Sequence, residues 1–328
     1  NKKKKSLKMQ DIQFKQISTN DISMRIAEAG SGPLVLLIHG WPESWYSWRH
    51  QIKAIAAQGY RVVAPDMRGY GDTDAPAEAT EYRIDKITAD VVGIMDALGE
   101  STATLVGHDW GSMVVWNAAL LHPERFNGVI GMSVPYGGRM KTAPLSTWQQ
   151  AMGDNFFYIL YHNEPGGVAE KEYDSNPSGL LSMLYASPDS PREEATITDP
   201  KRSAGGWIGR IGAPIELPAW LTQEELDYYV GEFTRAGFRG GINYYRNFDA
   251  NWHFMKDKDH VIQIPSAFIS GAADMVIAGA DVSALTAMMS PAMADLREVT
   301  LIPEIGHWVQ QEAPQQTNDA ILRFIKSL

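Results

Sequence analysis

Six residues, Gly107-His108-Asp109-Trp110-Gly111-Ser112, stand between a short apolar run at 104–106 and a helical pattern at 113–121. Small residues around a central polar one, between a buried strand and a helix, commit the chain to a sharp strand-to-helix turn. The glycines let the backbone bend tightly and lift the central side chain above a sheet. The N-terminus of the following helix offers free N–H groups and the positive end of its dipole, so an anion is favoured there. The form is small-x-nucleophile-x-small-small, with Asp109 at the centre. A lone aspartate before a helix usually only caps it. The flanking glycines favour the nucleophile reading instead.

The rest of the chain repeats the strand-then-helix rhythm. Residues 34–38 and 104–106 read as buried parallel strands and 61–64 as a third, separated by helical patterns at 48–58, 84–98 and 113–121. Another strand is expected at 129–134. From about Tyr136 to about His253 the rhythm breaks, and a stretch rich in aromatics, Met, Gly and Pro reads as helices and loops. Alternation returns with a strand at 267–270, a helix at 282–289, a strand at 298–302 and a final helix from about Ala313 to Ser327. Such alternation implies right-handed crossovers and a mostly parallel, doubly wound sheet with helices on both faces. The expected organisation is a core of residues 12–135 and 254–328, with a helical cap domain over 136–253.

Composition removes other classes. The 328 residues, 44% hydrophobic and 21% charged, have the make-up of a globular chain, and the formal net charge of −10 argues against nucleic-acid binding. With no cysteine there is no disulfide framework, thiolate metal site or cysteine nucleophile, and the eight histidines form no His-Glu-x-x-His pair. No metal or cofactor is expected. No apolar run approaches the roughly 20 residues a membrane span needs. Residues 1–11 form a basic tail without an apolar signal core. Met9 marks a plausible natural start, which would make 1–8 an appended segment; a native solvated tail is the other reading. A cytoplasmic protein, monomer or homodimer, is expected.

Asp109 has partners in the right chain order. Asp274 follows the strand at 267–270, within Gly271-Ala272-Ala273-Asp274-Met275-Val276, and His307 follows the strand ending at 302, within Glu304-Ile305-Gly306-His307-Trp308. Both lie beyond C-terminal strand ends, where open α/β sheets place their sites. Nucleophile, acid and base in that order form a nucleophile–base–orienter set. His122 reads as a helix C-terminal residue and His39 as a turn residue. The backbone N–H groups of Trp41 and Trp110 are expected to form the oxyanion hole. Trp41, Trp110, Met275, Val276 and Trp308 flank the catalytic residues and are expected to line an apolar pocket.

Taken together, His39-Gly40-Trp41-Pro42, Gly107-His108-Asp109-Trp110-Gly111, Asp274 and His307 resemble the soluble epoxide hydrolases of the α/β-hydrolase fold. The resemblance covers nearly the whole chain after Ile12 and includes Trp45-Tyr46-Ser47-Trp48-Arg49 and the segment from Ala64 to Gly71. It implies a helical cap inserted after the sixth strand. In the cap, Tyr158-Ile159-Leu160-Tyr161 with Glu164-Pro165-Gly166, and the segment from Gly237 to Asn247, resemble the two lid segments that supply phenols. Periodicity cannot choose between Tyr158 and Tyr161, nor between Tyr244 and Tyr245. The resemblance implies Tyr158 and Tyr245. The extra glycine in Gly166-Gly167 departs from the family pattern.

The residue types suit an epoxide. A serine attacking an epoxide carbon would leave a stable ether, whereas a carboxylate leaves an ester that water can cleave. The ring oxygen departs as an alkoxide and needs proton donors, which two phenols can supply. A small apolar epoxide and water are the implied reactants and a vicinal diol the product. A haloalkane or haloacid dehalogenase could use the same Asp109, His307 and Asp274. Its family commonly has asparagine where this chain has Trp41, and often a lid tryptophan at the halide. A non-catalytic ligand-binding relative would be expected to lose part of the triad.

Overall fold

The computed structural model describes residues 11–328, so all but Asp11 of the expected tail lies outside it. Eight strands form one sheet: β1 (Gln13–Thr19), β2 (Ile22–Ala29), β3 (Leu34–Ile38), β4 (Arg61–Pro65), β5 (Ala103–His108), β6 (Phe126–Met132), β7 (Ser266–Gly271) and β8 (Leu296–Ile302). Their order is β1-β2-β4-β3-β5-β6-β7-β8. The first two pairings, β1 with β2 and β2 with β4, are antiparallel; the others are parallel. The fold is the α/β-hydrolase fold.

Side chains alternate across each strand, and the two faces feed two apolar layers. In β3, Leu34, Leu36 and Ile38 enter one layer while Val35 and Leu37 enter the other. The second layer is covered by α1 (Arg49–Ala56) and, at the chain end, a helix at Pro314–Lys326. The first is covered by α2 (Ile84–Leu98) and α3 (Trp110–Leu121). Strands buried on both faces read as unbroken apolar runs, which is why β3 and β5 are visible in sequence.

Between β6 and β7 lie seven helices: α4 (Pro144–Met152), α5 (Tyr158–His162), α6 (Val168–Ser175), α7 (Pro177–Leu184), α8 (Gln223–Ala236), α9 (Arg239–Tyr245) and α10 (Phe248–Met255). The expected boundary at 253/254 falls inside α10. Helix α8 starts at a complete capping box, Thr222 with Glu225. The chain closes with α11 (Val282–Met289), α12 (Val309–Glu312) and α13 (Pro314–Lys326).

Three local features depart from the sequence expectation. The β1–β2 hairpin was not foreseen, because β1 is a polar edge strand; its turn, Asn20-Asp21, has φ of 51° and 61°, as a two-residue hairpin loop demands. Strand β6 ends at Met132 rather than at 134, since Ser133 turns the backbone at φ 70°. Helix α3 starts at Trp110, three residues before the expected 113. Gly111 permits this: a Cβ there would lie 2.0 Å from the Ile38 carbonyl oxygen.

Candidate active site

Asp109 occupies the turn from β5 to α3 with φ 59° and ψ −122°, a conformation that costs a non-glycine residue energy and is found at functional turns. The turn points its carboxylate at two backbone donors. Oδ2 accepts from the Trp41 N–H at 2.9 Å and from the Trp110 N–H at 2.6 Å. Oδ1 faces His307 Nε2 at 3.0 Å. On the other side of the ring, Nδ1 lies 2.9 Å from Asp274 Oδ2, while Asp274 Oδ1 accepts the Val276 N–H at 3.0 Å. Thus the structure brings Asp109, His307 and Asp274 together from three strand ends, with the Trp41 and Trp110 amides on the second oxygen of Asp109.

Ionised carboxylates can only accept, so an imidazole between two of them must donate from both nitrogens. Burial pulls the His307 pKa down, but the Asp274 charge and the hydrogen bonds to Asp109 and Asp274 outweigh it and hold the ring well above its ordinary value. Burial likewise opposes ionisation of Asp109, and the His307 hydrogen bond and charge overcome it, leaving the carboxyl below its usual range. Asp274 behaves in the same way. These directions favour an imidazolium between two carboxylates.

Above it lies a cavity of about 650 Å³, which Asp109, His307, Tyr158 and Tyr245 all line. A cavity of about 750 Å³ on the Glu312 side of the His307 loop is larger but receives no triad residue or lid phenol, so the chemistry belongs to the former. The Tyr158 and Tyr245 rings meet edge to face, 5.9 Å between centroids. Burial first, then the Asp109 charge, raises the Tyr158 phenol; burial, then Tyr158 and Asp109, raises Tyr245. Both stay protonated and able to donate. Tyr244 donates to the Arg68 carbonyl at 2.8 Å, and Tyr161 to Glu172 at 2.9 Å, so neither alternative phenol opens into the cavity. Among the described residues no cluster of three or more His, Asp or Glu could hold a metal ion.

Comparison with known proteins fits this geometry. A model of the alpha/beta hydrolase fold matches residues 33–161. Epoxide hydrolase A of Mycobacterium tuberculosis is 44% identical over 316 residues, 95% of this chain and 97% of its own. Epoxide hydrolase 2 of Siraitia grosvenorii is 37% identical over 97% of this chain and 99% of its own. The crystal structure of epoxide hydrolase A from Mycobacterium thermoresistibile superposes with a TM-score of 0.88 at 43% identity, covering 96% of this chain and 98% of that one.

The chain belongs to the epoxide hydrolase family of the α/β-hydrolase fold. In this family member the remaining pocket residues divide. Trp41 and Trp308 line the cavity, while Met275, 91% exposed, and Val276, 48% exposed, stand at its rim. Trp110 corrects the expectation for its side chain. Its indole packs against Tyr244, Tyr245 and Phe248, away from the cavity, because the first turn of α3 rotates it toward α9 and α10. Only its N–H serves the site.

Sequence reasoning missed what holds the His307 backbone. The His307 carbonyl lies 2.7 Å from His108 Nε2 and accepts the Ser133 hydroxyl at 3.1 Å. His108 Nδ1 is 2.9 Å from Glu43, which also accepts the Gly40 N–H at 2.7 Å. Glu312 accepts the N–H groups on either side of His307, Gly306 at 3.1 Å and Trp308 at 2.8 Å. Glu312→Ala is expected to lower kcat by about tenfold with KM changed less than about threefold, since two N–H groups lose their acceptor and the base loses its fixed position. Equal kcat in stopped and steady-state assays of the variant and wild type would remove Glu312 from this role.

Proposed function

We propose that the enzyme hydrolyses apolar epoxides to vicinal diols in two steps, with the segment 136–253 as the cap that supplies the proton donors. The observation that carries this reading is one cavity lined by a carboxylate nucleophile, its imidazole partner and two buried phenols. Asp109 Oδ1 attacks a ring carbon while the Tyr158 and Tyr245 hydroxyls hold the ring oxygen. The C–O bond breaks, the alkoxide takes a proton from a phenol, and the phenol is reprotonated at the expense of the imidazolium. Esterified Asp109 carries no charge, so His307 loses one of the two carboxylates that raised its pKa and becomes a neutral base. Nε2 then takes a proton from water, which attacks the ester carbonyl. Oδ2 becomes the oxyanion, already seated on the Trp41 and Trp110 N–H groups. Collapse releases the diol and restores the carboxylate and the imidazolium; the other water hydrogen ends on the product. Diol formation with incorporation of one ¹⁸O from labelled solvent, carried by the Asp109 carboxylate in a single turnover, tests the scheme.

A halide-releasing reading has one feature in its favour: a lid tryptophan, Trp207, lines the cavity. It stacks on Tyr158 at 4.7 Å and on Trp41 at 6.0 Å, which gives it a packing role. Release of halide from haloalkanes, assayed beside epoxide opening, separates the two reactions.

The phenols yield a further expected result. Tyr158→Phe and Tyr245→Phe should each slow ring opening by about 10- to 100-fold, and the double variant should lose far more than the product of the two, because each donor covers for the other. Tyr244→Phe should lose about 1 kcal/mol of stability and keep its rate. A damaging Tyr244→Phe with a harmless Tyr245→Phe would move the role by one residue.

A further inference from the structure

The inference rests on the epoxide-hydrolase reading of the Asp109 cavity and concerns Arg192, which lies among the residues that line it. Several arginines that reach inside the protein meet carboxylates: Arg25 pairs with Asp66 and Glu232, Arg49 with Glu225, Arg68 with Asp90 and Arg246 with Glu170, while Arg139 lies over the Trp252 ring. Arg192 has no ion pair among the described residues. Burial lowers its pKa and no carboxylate, Asp109 and Asp274 included, raises it. A guanidinium remains charged regardless, so the cavity wall holds a permanent, unneutralised cation.

The cation is also fixed in place. Nη1 donates to the Met183 carbonyl at 3.1 Å and to the Gly212 carbonyl at 2.7 Å. The backbone on either side is tied into a short antiparallel ladder: Glu193 donates to Ala213 at 2.8 Å and Ile215 to Pro191 at 2.9 Å, with Arg192 bridged to Pro214. Nε and Nη2 meet no acceptor among the described residues and are not fully buried. That edge is the one that binds a carboxylate through two parallel hydrogen bonds. The same cavity is lined by the apolar side chains of Leu184, Ile211 and Trp207.

We propose that Arg192 forms a carboxylate-binding subsite, so that the preferred substrates are epoxides whose apolar chain ends in a carboxylate. The cavity then combines the Asp109 carboxylate with its imidazole, an apolar lining and one cation. No bond is made or broken at Arg192. The anchored carboxylate fixes how far the chain extends toward Asp109 and therefore which epoxide position reacts. This departs from the sequence expectation of a small apolar epoxide: the body is apolar and one end is charged.

The test compares a homologous series of ω-epoxyalkanoic acids with their methyl esters, using wild type, Arg192→Lys and Arg192→Met at neutral pH. In wild type, the best acid should exceed its ester in kcat/KM by about 10- to 100-fold, the range for a charge-assisted hydrogen-bonded pair. One chain length should stand out. Arg192→Met should bring the acid-to-ester ratio near one, whatever it does to absolute rates, and Arg192→Lys should keep part of it. A purely structural role in tying Met183 to Gly212 would lower both rates together and leave the ratio intact. Calorimetric binding of octanoate, with octanamide as control, gives a readout independent of turnover: wild type should bind only the carboxylate, and Arg192→Met neither. An acid-to-ester ratio near one in wild type, or a ratio unchanged by Arg192→Met, overturns the subsite. If wild type opens no epoxide in any form, the reading of the Asp109 cavity fails, and octanoate binding still decides the subsite.

Discussion

Replacing Asp109 with alanine is expected to abolish diol formation, by at least about ten-thousandfold, the scale on which loss of a nucleophile is felt. The chain should still fold. Asp109 sits at φ 59° above the sheet, and its carboxylate touches two amides and an imidazole rather than the apolar core. The substitution removes those contacts and leaves a strained backbone that alanine tolerates less well than aspartate, a loss of about 1–2 kcal/mol. A helix cap alone would give the opposite pattern: a similar stability loss with turnover retained. Thermal unfolding and single-turnover product analysis on the same preparation distinguish them. The substitution should also change the pH dependence of stability. His307 is raised above its ordinary 6.5 by its two carboxylates. A raised group stabilises the fold fully below its unfolded pKa, and this contribution is lost as pH rises through the folded value. Wild type should therefore lose stability above about pH 6.5, and Asp109→Ala, with one carboxylate gone, should lose less over the same range. An identical slope in both proteins would mean that Asp109 does not hold the His307 proton.

What could be read from the sequence follows from how local each determinant is. Asp109 and Asp274 follow fully buried strands, His307 follows the half-buried β8, and all three sit in short loops bearing small residues, so a few consecutive letters carry them. The central strands are legible for the same reason. The β1 edge strand is not, because its exposed face carries Gln, Lys and Ser and only the Asn20-Asp21 turn signals a hairpin. Tyr244 and Tyr245 are adjacent, and only the tertiary position of Arg68 shows which phenol is already occupied. Glu43, His108 and Glu312 act across the fold: His108 reaches the His307 carbonyl from 199 residues away in sequence. The Trp110 side chain was misassigned because nearness in sequence to Asp109 says nothing about which way the first helical turn rotates. Arg192 is the extreme case. Its distinguishing property is a missing partner, which no motif can encode.

His307→Gln should separate the two chemical steps. In the proposed scheme ring opening uses the Asp109 carboxylate and the phenols; ester hydrolysis also needs a base acting on water. In the resting enzyme His307 is an imidazolium and cannot be that base, and it becomes one only when alkylation removes the Asp109 charge. A glutamine can keep a hydrogen bond toward Asp109 yet has no proton to take up or give. The variant should therefore be alkylated once and stall. Intact-protein mass spectrometry after mixing with an epoxide should show an added mass equal to the substrate, and peptide mapping should place it on Asp109. Steady-state diol formation should fall by about a thousandfold or more, since a positioned general base contributes on the order of 10²–10⁴. A halide-releasing enzyme offered an epoxide should form little adduct, and a ligand-binding relative none. If the folded variant opens no epoxide at all while wild type does, His307 is needed in the first step for more than resupplying the phenol proton. Water would then attack the ring directly under base catalysis, and Asp109 would only orient the imidazole and stabilise its charge.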